Sequence, residues 1–145
     1  MSYVGVVRAV CISERRGTKK KNVETGDFIE EYGIDGDAHA GNWHRQVSLL
    51  SFERIQDFKD RGADIGLGDF GENLVVEGFD FIKYPVGSRF KCNEVLLEIT
   101  QIGKECHSHC EIYKSMGECI MPKQGVFARV IHGGKISVSD KMQIV

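Results

Sequence analysis

The chain has 145 residues, a net charge of −2, and 41% hydrophobic and 28% charged residues, a composition that predicts one globular domain over residues 1–145. The weak negative charge gives no basic field for binding nucleic acid, and no apolar run approaches the length that crosses a membrane. The N-terminus lacks a basic segment followed by a long apolar one, so no signal peptide is predicted and a cytoplasmic location is expected.

The first third of the chain alternates Val- and Ile-rich runs with glycine-punctuated loops. Residues 3–12 predict a buried strand, and residues 13–22 predict a polar, basic loop. Residues 27–37 begin as a strand and end in a loop, where Gly33 and Gly36 indicate backbone with special dihedral angles.

The clearest helix follows a short predicted strand at residues 46–51. Ser51 is expected to cap this helix by accepting a hydrogen bond from a first-turn amide. Phe52, Ile55 and Phe58 share one helical face, and Gly62 is the predicted stop.

The second half of the chain predicts further strands. Residues 74–78 form one, residues 86–103 form two around a turn at Cys92-Asn93, and residues 125–145 form two or three, with Gly133-Gly134 as a hairpin turn. Seven or eight strands with one or two short helices favour a mainly β, barrel-like fold, because such folds hide their sheet edges.

Cysteine usage argues against a disulfide framework, because the count is odd and no signal peptide is predicted. Cys11 and Cys92 lie in predicted strands and are expected to be small buried hydrophobic residues. Cys119, beside Ile-Met-Pro, favours the same interpretation.

Residues 104–125 allow two kinds of functional site. One is a structural zinc site, although the spacing supplies only one tight pair of ligands. The other is a single reactive thiolate at Cys106, stabilised by the positive charge of Lys104 and two histidines. The residues alone leave both open. The side chains concerned are Cys106, His107, His109, Cys110 and Cys119.

The loop GDAHAGNWHR, residues 36–45, also allows two kinds of site. His39 and His44 are five residues apart, so they would meet at a metal with Asp37 only through loop geometry. Alternatively, glycine amides and the guanidinium fork of Arg45 would bind a phosphate or another anion.

Two further stretches have ordinary interpretations beside functional ones. In GDFGEN, residues 68–73, Glu72 is expected to be solvated and Asn73 to bond its own backbone. The basic run at residues 15–21 is expected to be a solvated loop, which could attract a phosphorylated ligand through Lys19, Lys20 and Lys21.

Taken together, the stretches GIDGDAHAGNWHRQVSLLS, GDFGENLVVEG, VGSRF, EITQIGKEC and GVFARVIHGGKI resemble a stand-alone MOSC domain, the module named for the C-terminal part of molybdenum cofactor sulfurase. The resemblance covers most of residues 4–145, and it implies a β-barrel-like fold. It also implies a cofactor-binding set. The matching positions are Gly36, Asp37, His39, Gly41, His44, Arg45 and Gln46, with Gly71, Glu72 and Asn73.

The resemblance further implies a cysteine that carries sulfur or ligates the metal of the molybdenum cofactor (molybdopterin), and the first cysteine after the LLEIT strand is Cys106. Cys110 is the second candidate, since it could resolve a persulfide, while His107 and His109 would tune the thiol. Cys106 could instead ligate molybdenum directly, with thiolate as a soft ligand. Arg45 and residues 19–21 are the candidates for binding the pterin phosphate.

The expected function is therefore sulfur relay to a molybdenum cofactor, with a non-catalytic cofactor carrier and a zinc-binding structural protein as alternatives. The implied partners are a sulfur donor such as a cysteine desulfurase, and a molybdenum enzyme or cofactor-biosynthesis proteins. Pyridoxal phosphate is associated with the family through its desulfurase domain, for which these 145 residues have no room. No nucleic-acid or membrane partner is expected, and the sequence leaves the oligomeric state open.

Overall fold

A computed structural model describes residues 4–16, 18–103 and 125–145. Strands dominate these residues, which confirms the prediction of a mainly β chain with one or two short helices. The strands are β1 Val4–Ile12, β2 Lys21–Asn22, β3 Thr25–Ile29, β4 Gly33–Ile34, β5 Val47–Ser51, β6 Leu74–Glu77, β7 Arg89–Cys92, β8 Val95–Ile102, β9 Val126–His132, β10 Gly134–Ser137 and β11 Lys141–Ile144. The helices are α1 Phe52–Asp60 and a 3₁₀ helix Phe81–Lys83.

Seven strands form a closed barrel in the order β11-β7-β8-β9-β5-β6-β1, which closes through pairing of β1 with β11. Neighbours are antiparallel except β5 and β6, which are parallel because α1 crosses between them. Closure leaves these strands without a free edge, as the sequence predicted. β2 pairs with the end of β1, and β10, β3 and β4 form a separate small sheet.

The barrel wall is buried on both sides at β5. Val47 and Leu49 belong to a core cluster that draws on strands from around the barrel, whereas Leu50 belongs to a second cluster that includes α1. The continuous apolar run of β5 follows from this double burial. No helix among the described residues is long and apolar enough to cross a membrane.

Helix α1 has the predicted length and face. Ile55 and Phe58 are buried, and Phe52 packs partly buried against the same cluster. Gly62 adopts a φ of 98° and donates its amide to the Lys59 carbonyl at 2.9 Å, so the helix ends where the sequence predicted.

The prediction that Ser51 caps α1 is wrong. Its hydroxyl accepts no hydrogen bond from a first-turn amide and instead donates to Glu53 Oε1 at 3.3 Å. Glu53 is held there because its other oxygen accepts the amide of Gly78 at 2.9 Å. A carboxylate in the first turn also stabilises the helix, because it interacts favourably with the positive end of the helix dipole.

Two turn predictions need correction. Cys92 pairs with Val95, so the β7–β8 hairpin turns at Asn93–Glu94, one residue later than predicted. Gly133-Gly134 makes no hairpin, because β9 pairs with β5 and β8 while β10 pairs with β3. A Cβ on Gly133 would lie 2.5 Å from the Phe28 carbonyl oxygen, so this glycine permits the close approach of β3.

Candidate functional site

The side chain of Lys20 is fully buried and forms an ion pair with Asp37, with Nζ 2.6 Å from Oδ1. Its ammonium also donates to Ser13 Oγ at 3.1 Å and lies 2.9 Å from His39 Nδ1. Because an ammonium has three donors and no acceptor, His39 Nδ1 accepts, and a neutral His39 carries its proton on Nε2. The three donors of Lys20 are therefore all used inside the protein.

Asp37 is equally occupied by internal partners. Its Oδ1 also accepts the Ser13 amide at 3.1 Å, and its Oδ2 accepts the His39 amide at 3.3 Å. A buried charge persists only when it is paired and hydrogen-bonded in this way. Both oxygens of Asp37 therefore have partners inside the protein, and its assignment to the cofactor site stays a prediction. We call Ser13, Lys20, Asp37 and His39 the buried network.

The basic run at residues 15–21 divides between surface and interior. Lys19 and Lys21 are exposed, and Lys19 Nζ lies 3.8 Å from Asp69. The expectation that Lys20 is solvated is wrong, because its side chain is buried, and its contact with a phosphate stays a prediction. Its amide donates to the Gly68 carbonyl at 2.8 Å, and a Cβ on Gly68 would lie 2.0 Å from the Lys20 carbonyl oxygen, so only glycine permits this approach.

The glycine amides of the loop contribute less to an anion site than predicted. Gly41 donates its amide to the Tyr32 carbonyl at 2.7 Å, so this donor is already used. Gly36 is exposed and has a φ of 86°, a conformation that favours glycine. The loop therefore turns here for backbone reasons that need no ligand.

Gln46, which was predicted to bind cofactor, is buried in the core. Its side chain is buried, and its Oε1 accepts the Val130 amide at 2.9 Å. The Val130 carbonyl accepts the amide of Glu31 at 2.8 Å. Gln46 thus satisfies a backbone donor of β9, and its assignment to the cofactor site stays a prediction.

The expectation that Glu72 is solvated is wrong, and its assignment to the cofactor site stays a prediction. Its carboxyl is fully buried and accepts the amides of Gly68 and Phe70, each at 3.0 Å. Burial raises the pKa of Glu72 from 4.5 to about 7, although the amide hydrogen bonds oppose the rise. The carboxyl therefore stabilises the loop that begins at Gly66 by accepting two of its backbone amides. Gly71 adopts a φ of 80° in the same loop.

Asn73 joins three strands and does not bond its own backbone as expected. Its Oδ1 accepts the Ser48 amide at 2.9 Å, and its Nδ2 donates to the Cys11 carbonyl at 2.9 Å. The side chain is 1% exposed. Both ends of the amide are used between β1 and β5, next to the start of β6, and the assignment of Asn73 to the cofactor site stays a prediction.

His44 and Arg45 both contact the side chain of Gln101. Gln101 Oε1 lies 2.8 Å from His44 Nε2 and accepts from Arg45 Nε at 3.0 Å, and its Nε2 donates to the Gly103 carbonyl at 2.8 Å. His44 is exposed, and Arg45 is half-buried. We call His44, Arg45 and Gln101 the β8-end unit.

The guanidinium of Arg45 lies over an aromatic ring. Its Cζ is 5.0 Å from the centre of the Phe127 ring, a cation–π distance. The Nε donor is bound to Gln101, and within residues 4–16, 18–103 and 125–145 no acceptor meets the terminal nitrogens. These nitrogens form a fork that matches the oxygens of a phosphate or carboxylate.

The β8-end unit lies where the chain leaves and re-enters the barrel. The Gly103 amide donates to the Gly125 carbonyl at 2.7 Å, so the two ends of the intervening segment are side by side. Lys104 and the predicted residues Cys106, His107, His109, Cys110 and Cys119 are all in that segment, which lies outside the described residues.

A second guanidinium, that of Arg16, contacts the ring of Trp43, which in turn contacts His44. Arg16 Cζ is 4.9 Å from the centre of the Trp43 ring, and the Trp43 and His44 rings meet edge to face at 5.9 Å. The indole of Trp43 donates to the His39 carbonyl at 2.7 Å. Nothing in the sequence singles out Arg16 or Gln101. A basic residue in a charged run and a polar residue in a strand are both too common to stand out.

Cys11 and Cys92 are small buried residues, as the sequence predicted. Cys11 and Cys92 are buried, and burial raises the pKa of each thiol to about 12, so neither is a thiolate at neutral pH. Across the ranges that the structure describes, no three His, Cys, Asp or Glu side chains are grouped to hold a metal ion. The metal site considered for Asp37, His39 and His44 is therefore not formed.

Comparisons with known proteins agree with this fold. The MOSC domain family model matches residues 35–143. The structure resembles the YuaD protein from Bacillus subtilis with a TM-score of 0.82, 19% identity, and coverage of 97% of this chain and 95% of that one. YiiM from Escherichia coli matches with a TM-score of 0.66 and 21% identity, covering 98% of this chain and 69% of that one. YiiM from Geobacillus stearothermophilus matches with a TM-score of 0.67 and 16% identity, covering 99% of this chain and 74% of that one. Among curated protein sequences there is no significant match.

Proposed function

The chain belongs to the MOSC domain family, and on that premise we propose that it relays sulfur, through a persulfide on Cys106, to a molybdenum cofactor that is its substrate. The observation that carries the proposal is the β8-end unit. The guanidinium of Arg45, which has terminal N–H donors for an anion, and the ring of His44 lie near Gly103, the last described residue before the segment with Cys106.

Chain length ties Cys106 to this site. Cys106 follows Gly103 by three residues, and three residues span at most about 11 Å of extended chain. Gln101 bonds both Arg45 and the Gly103 carbonyl, so the chain leaves the barrel beside the guanidinium. The thiol and the anion site therefore serve one ligand in this proposal.

The donor set suits the anionic end of such a ligand. Molybdopterin carries a phosphate, and Arg45 supplies terminal N–H donors on a rigid fork, backed by the Phe127 ring. Lys20 has no free donor for this purpose, since its ammonium is enclosed by Ser13, Asp37 and His39. Arg45 thus replaces the lysine run as the proposed phosphate partner.

The first chemical step is a thiol exchange. The Cys106 thiolate attacks the sulfane sulfur of a donor persulfide, a new S–S bond forms at Sγ, and the donor leaves as a thiolate. A cysteine desulfurase is the class of partner that presents such a persulfide. No oxidant is needed, because the sulfane sulfur moves between two thiols without net electron transfer.

The second step needs two electrons, and a second thiol supplies them. Cys110 attacks Sγ of Cys106, the persulfide S–S bond breaks, and sulfur leaves as hydrosulfide while Cys106 and Cys110 form a disulfide. The hydrosulfide is then passed to the molybdenum cofactor, which a molybdenum enzyme or a cofactor-biosynthesis protein would bring. A reducing thiol returns the cysteines to their starting state.

The test is intact mass spectrometry of the full chain after incubation with cysteine and a cysteine desulfurase. We expect wild type to gain about 32 Da, one sulfur atom, and to lose it on reduction. The Cys106→Ala variant should gain nothing. An unchanged adduct in Cys106→Ala, or no adduct on wild type, overturns the proposal.

Matched variants separate the relay from the other two functions. Cys119→Ala should keep the adduct, whereas Cys110→Ala should keep it longer because the resolving thiol is absent. Metal analysis of the same preparations gives the second readout. Stoichiometric zinc that is lost together with folding in Cys110→Ala would support a structural zinc site instead, and cofactor retention with no adduct would support a carrier.

A further inference from the structure

Strand β8 ends in a bulge that re-aims its last polar side chains. Ile99 pairs with Ala128 and Gln101 pairs with Phe127, so Thr100 is an extra residue against β9. The Thr100 hydroxyl lies within hydrogen-bond distance of the His44 and Phe127 carbonyls. Bulges of this kind redirect side chains beside functional sites. Here the bulge joins the loop that carries His44 to the end of β8.

The amide of Gln101 has only one orientation that satisfies its neighbours. Arg45 Nε can only donate, so it must meet the Gln101 oxygen, and the Gly103 carbonyl can only accept, so it must meet the Gln101 nitrogen. His44 Nε2 faces the same oxygen at 2.8 Å and must therefore carry a proton. A neutral His44 then presents Nδ1 as an acceptor.

We propose that Gln101 is a positioning residue, which fixes the Arg45 fork and the His44 tautomer as one recognition unit for a phosphate-like oxyanion. This inference rests on the proposed anion site at Arg45. Without Gln101, the one contact left to the Arg45 guanidinium among the described residues is its stacking on Phe127, so it loses much of its orientation. A donor that is oriented in advance binds more tightly, because less side-chain entropy is lost when the ligand binds.

Two measurements on the full chain test the proposal. The first is the Arg45 Nε–H resonance, assigned through its loss in Arg45→Lys; in wild type it should exchange slowly with water, and in Gln101→Ala it should exchange rapidly. The second is titration with inorganic phosphate. Gln101→Ala should weaken phosphate binding roughly 3- to 10-fold, the effect of losing about one hydrogen bond.

Conservative variants separate positioning from general structure. Gln101→Glu keeps an acceptor for Arg45, so the Nε–H should stay protected, while the added negative charge should weaken phosphate binding. Gln101→Asn is too short to bridge and should behave like Gln101→Ala. Gln143→Ala removes an exposed glutamine from β11 and should change neither measurement.

The outcomes distinguish this inference from the function on which it rests. Wild-type exchange and wild-type phosphate affinity in Gln101→Ala overturn the role of Gln101. Unchanged phosphate affinity in Arg45→Ala overturns the anion site itself. In that second case a protected Nε–H in wild type, lost in Gln101→Ala, would still show that Gln101 orients Arg45.

Discussion

The loop of residues 36–45 contributes to both the buried network and the β8-end unit, and the cations of these two units have different numbers of internal partners. Lys20 has 0% side-chain exposure and three internal partners, and Asp37 supplies its counter-charge. Arg45 is half-buried, binds one acceptor through Nε and stacks on Phe127. What decides the difference is the supply of acceptors, not the type of charge. A cation whose donors are all satisfied internally holds the fold, and one with spare donors can hold a ligand.

The largest effect that this comparison predicts is on stability, in the buried network. Lys20→Met removes the partner of a fully buried carboxylate, which should cost about 3–5 kcal/mol in the free energy of unfolding. Denaturant unfolding measures it. Lys19→Met is the matched control, because Lys19 is exposed and should change stability by less than about 0.5 kcal/mol.

A double variant shows whether the cost comes from the uncompensated charge. Lys20→Met with Asp37→Asn removes both charges, and Asn keeps an oxygen to accept one of the amides that Asp37 binds. It should recover part of the lost stability. If Lys20→Met alone is as stable as wild type, the two regions do not differ in the way described.

The second and smaller expected effect is a pH dependence of the free energy of unfolding, caused by Glu72. Its pKa is raised by burial to about 7 in the folded state, so between pH 4.5 and 7 the folded chain binds more protons than the unfolded one. The stability from this group is fully present below the unfolded pKa near 4.5 and is lost as pH rises through about 7. The loss should be about 2–3 kcal/mol.

The measurement is urea unfolding of wild type and Glu72→Gln from pH 4.5 to 8. Glutamine cannot ionise, so the variant should lose this fall, and the difference between the two curves isolates Glu72 from other groups. Glu77→Gln, on a half-exposed side chain paired with Arg8, should leave the wild-type curve unchanged. Parallel curves for wild type and Glu72→Gln would contradict the shifted pKa.

The sequence predicted the framework of this fold well and the buried polar residues poorly. Val- and Ile-rich runs and the face of Ile55 and Phe58 report local structure, so β1, β5 and α1 were found. Burial of Lys20 depends on Asp37, seventeen residues away, and on the approach of Gly68. No local pattern carries such information, and so the sequence predicted that Lys20 and Glu72 would be solvated.

In the β8-end unit, the sequence indicated a role for Arg45 but not for Gln101. Arg45 stood out because an arginine beside two histidines and glycines suggests an anion site. Gln101 did not, because a glutamine in a strand predicts only an outward side chain. The bulge at Thr100 gives it a role, and bulges depend on the pairing of β8 with β9, which the sequence does not reveal. Residues 104–124, with the predicted thiols, stay untested by the fold.

The smallest expected effect is on stability at Arg45, and it sharpens the comparison most. Arg45→Met keeps an unbranched apolar chain over Phe127 and removes the charge, so it should cost less than about 0.5 kcal/mol. Arg45→Ala also loses the stacking and should cost about 1 kcal/mol. Both should lose phosphate binding by more than about tenfold, because the fork is gone. Thermal unfolding and phosphate titration of the same samples test this division. If Arg45→Met costs as much as Lys20→Met, Arg45 is a structural cation like Lys20, and its spare donors have no bearing on function.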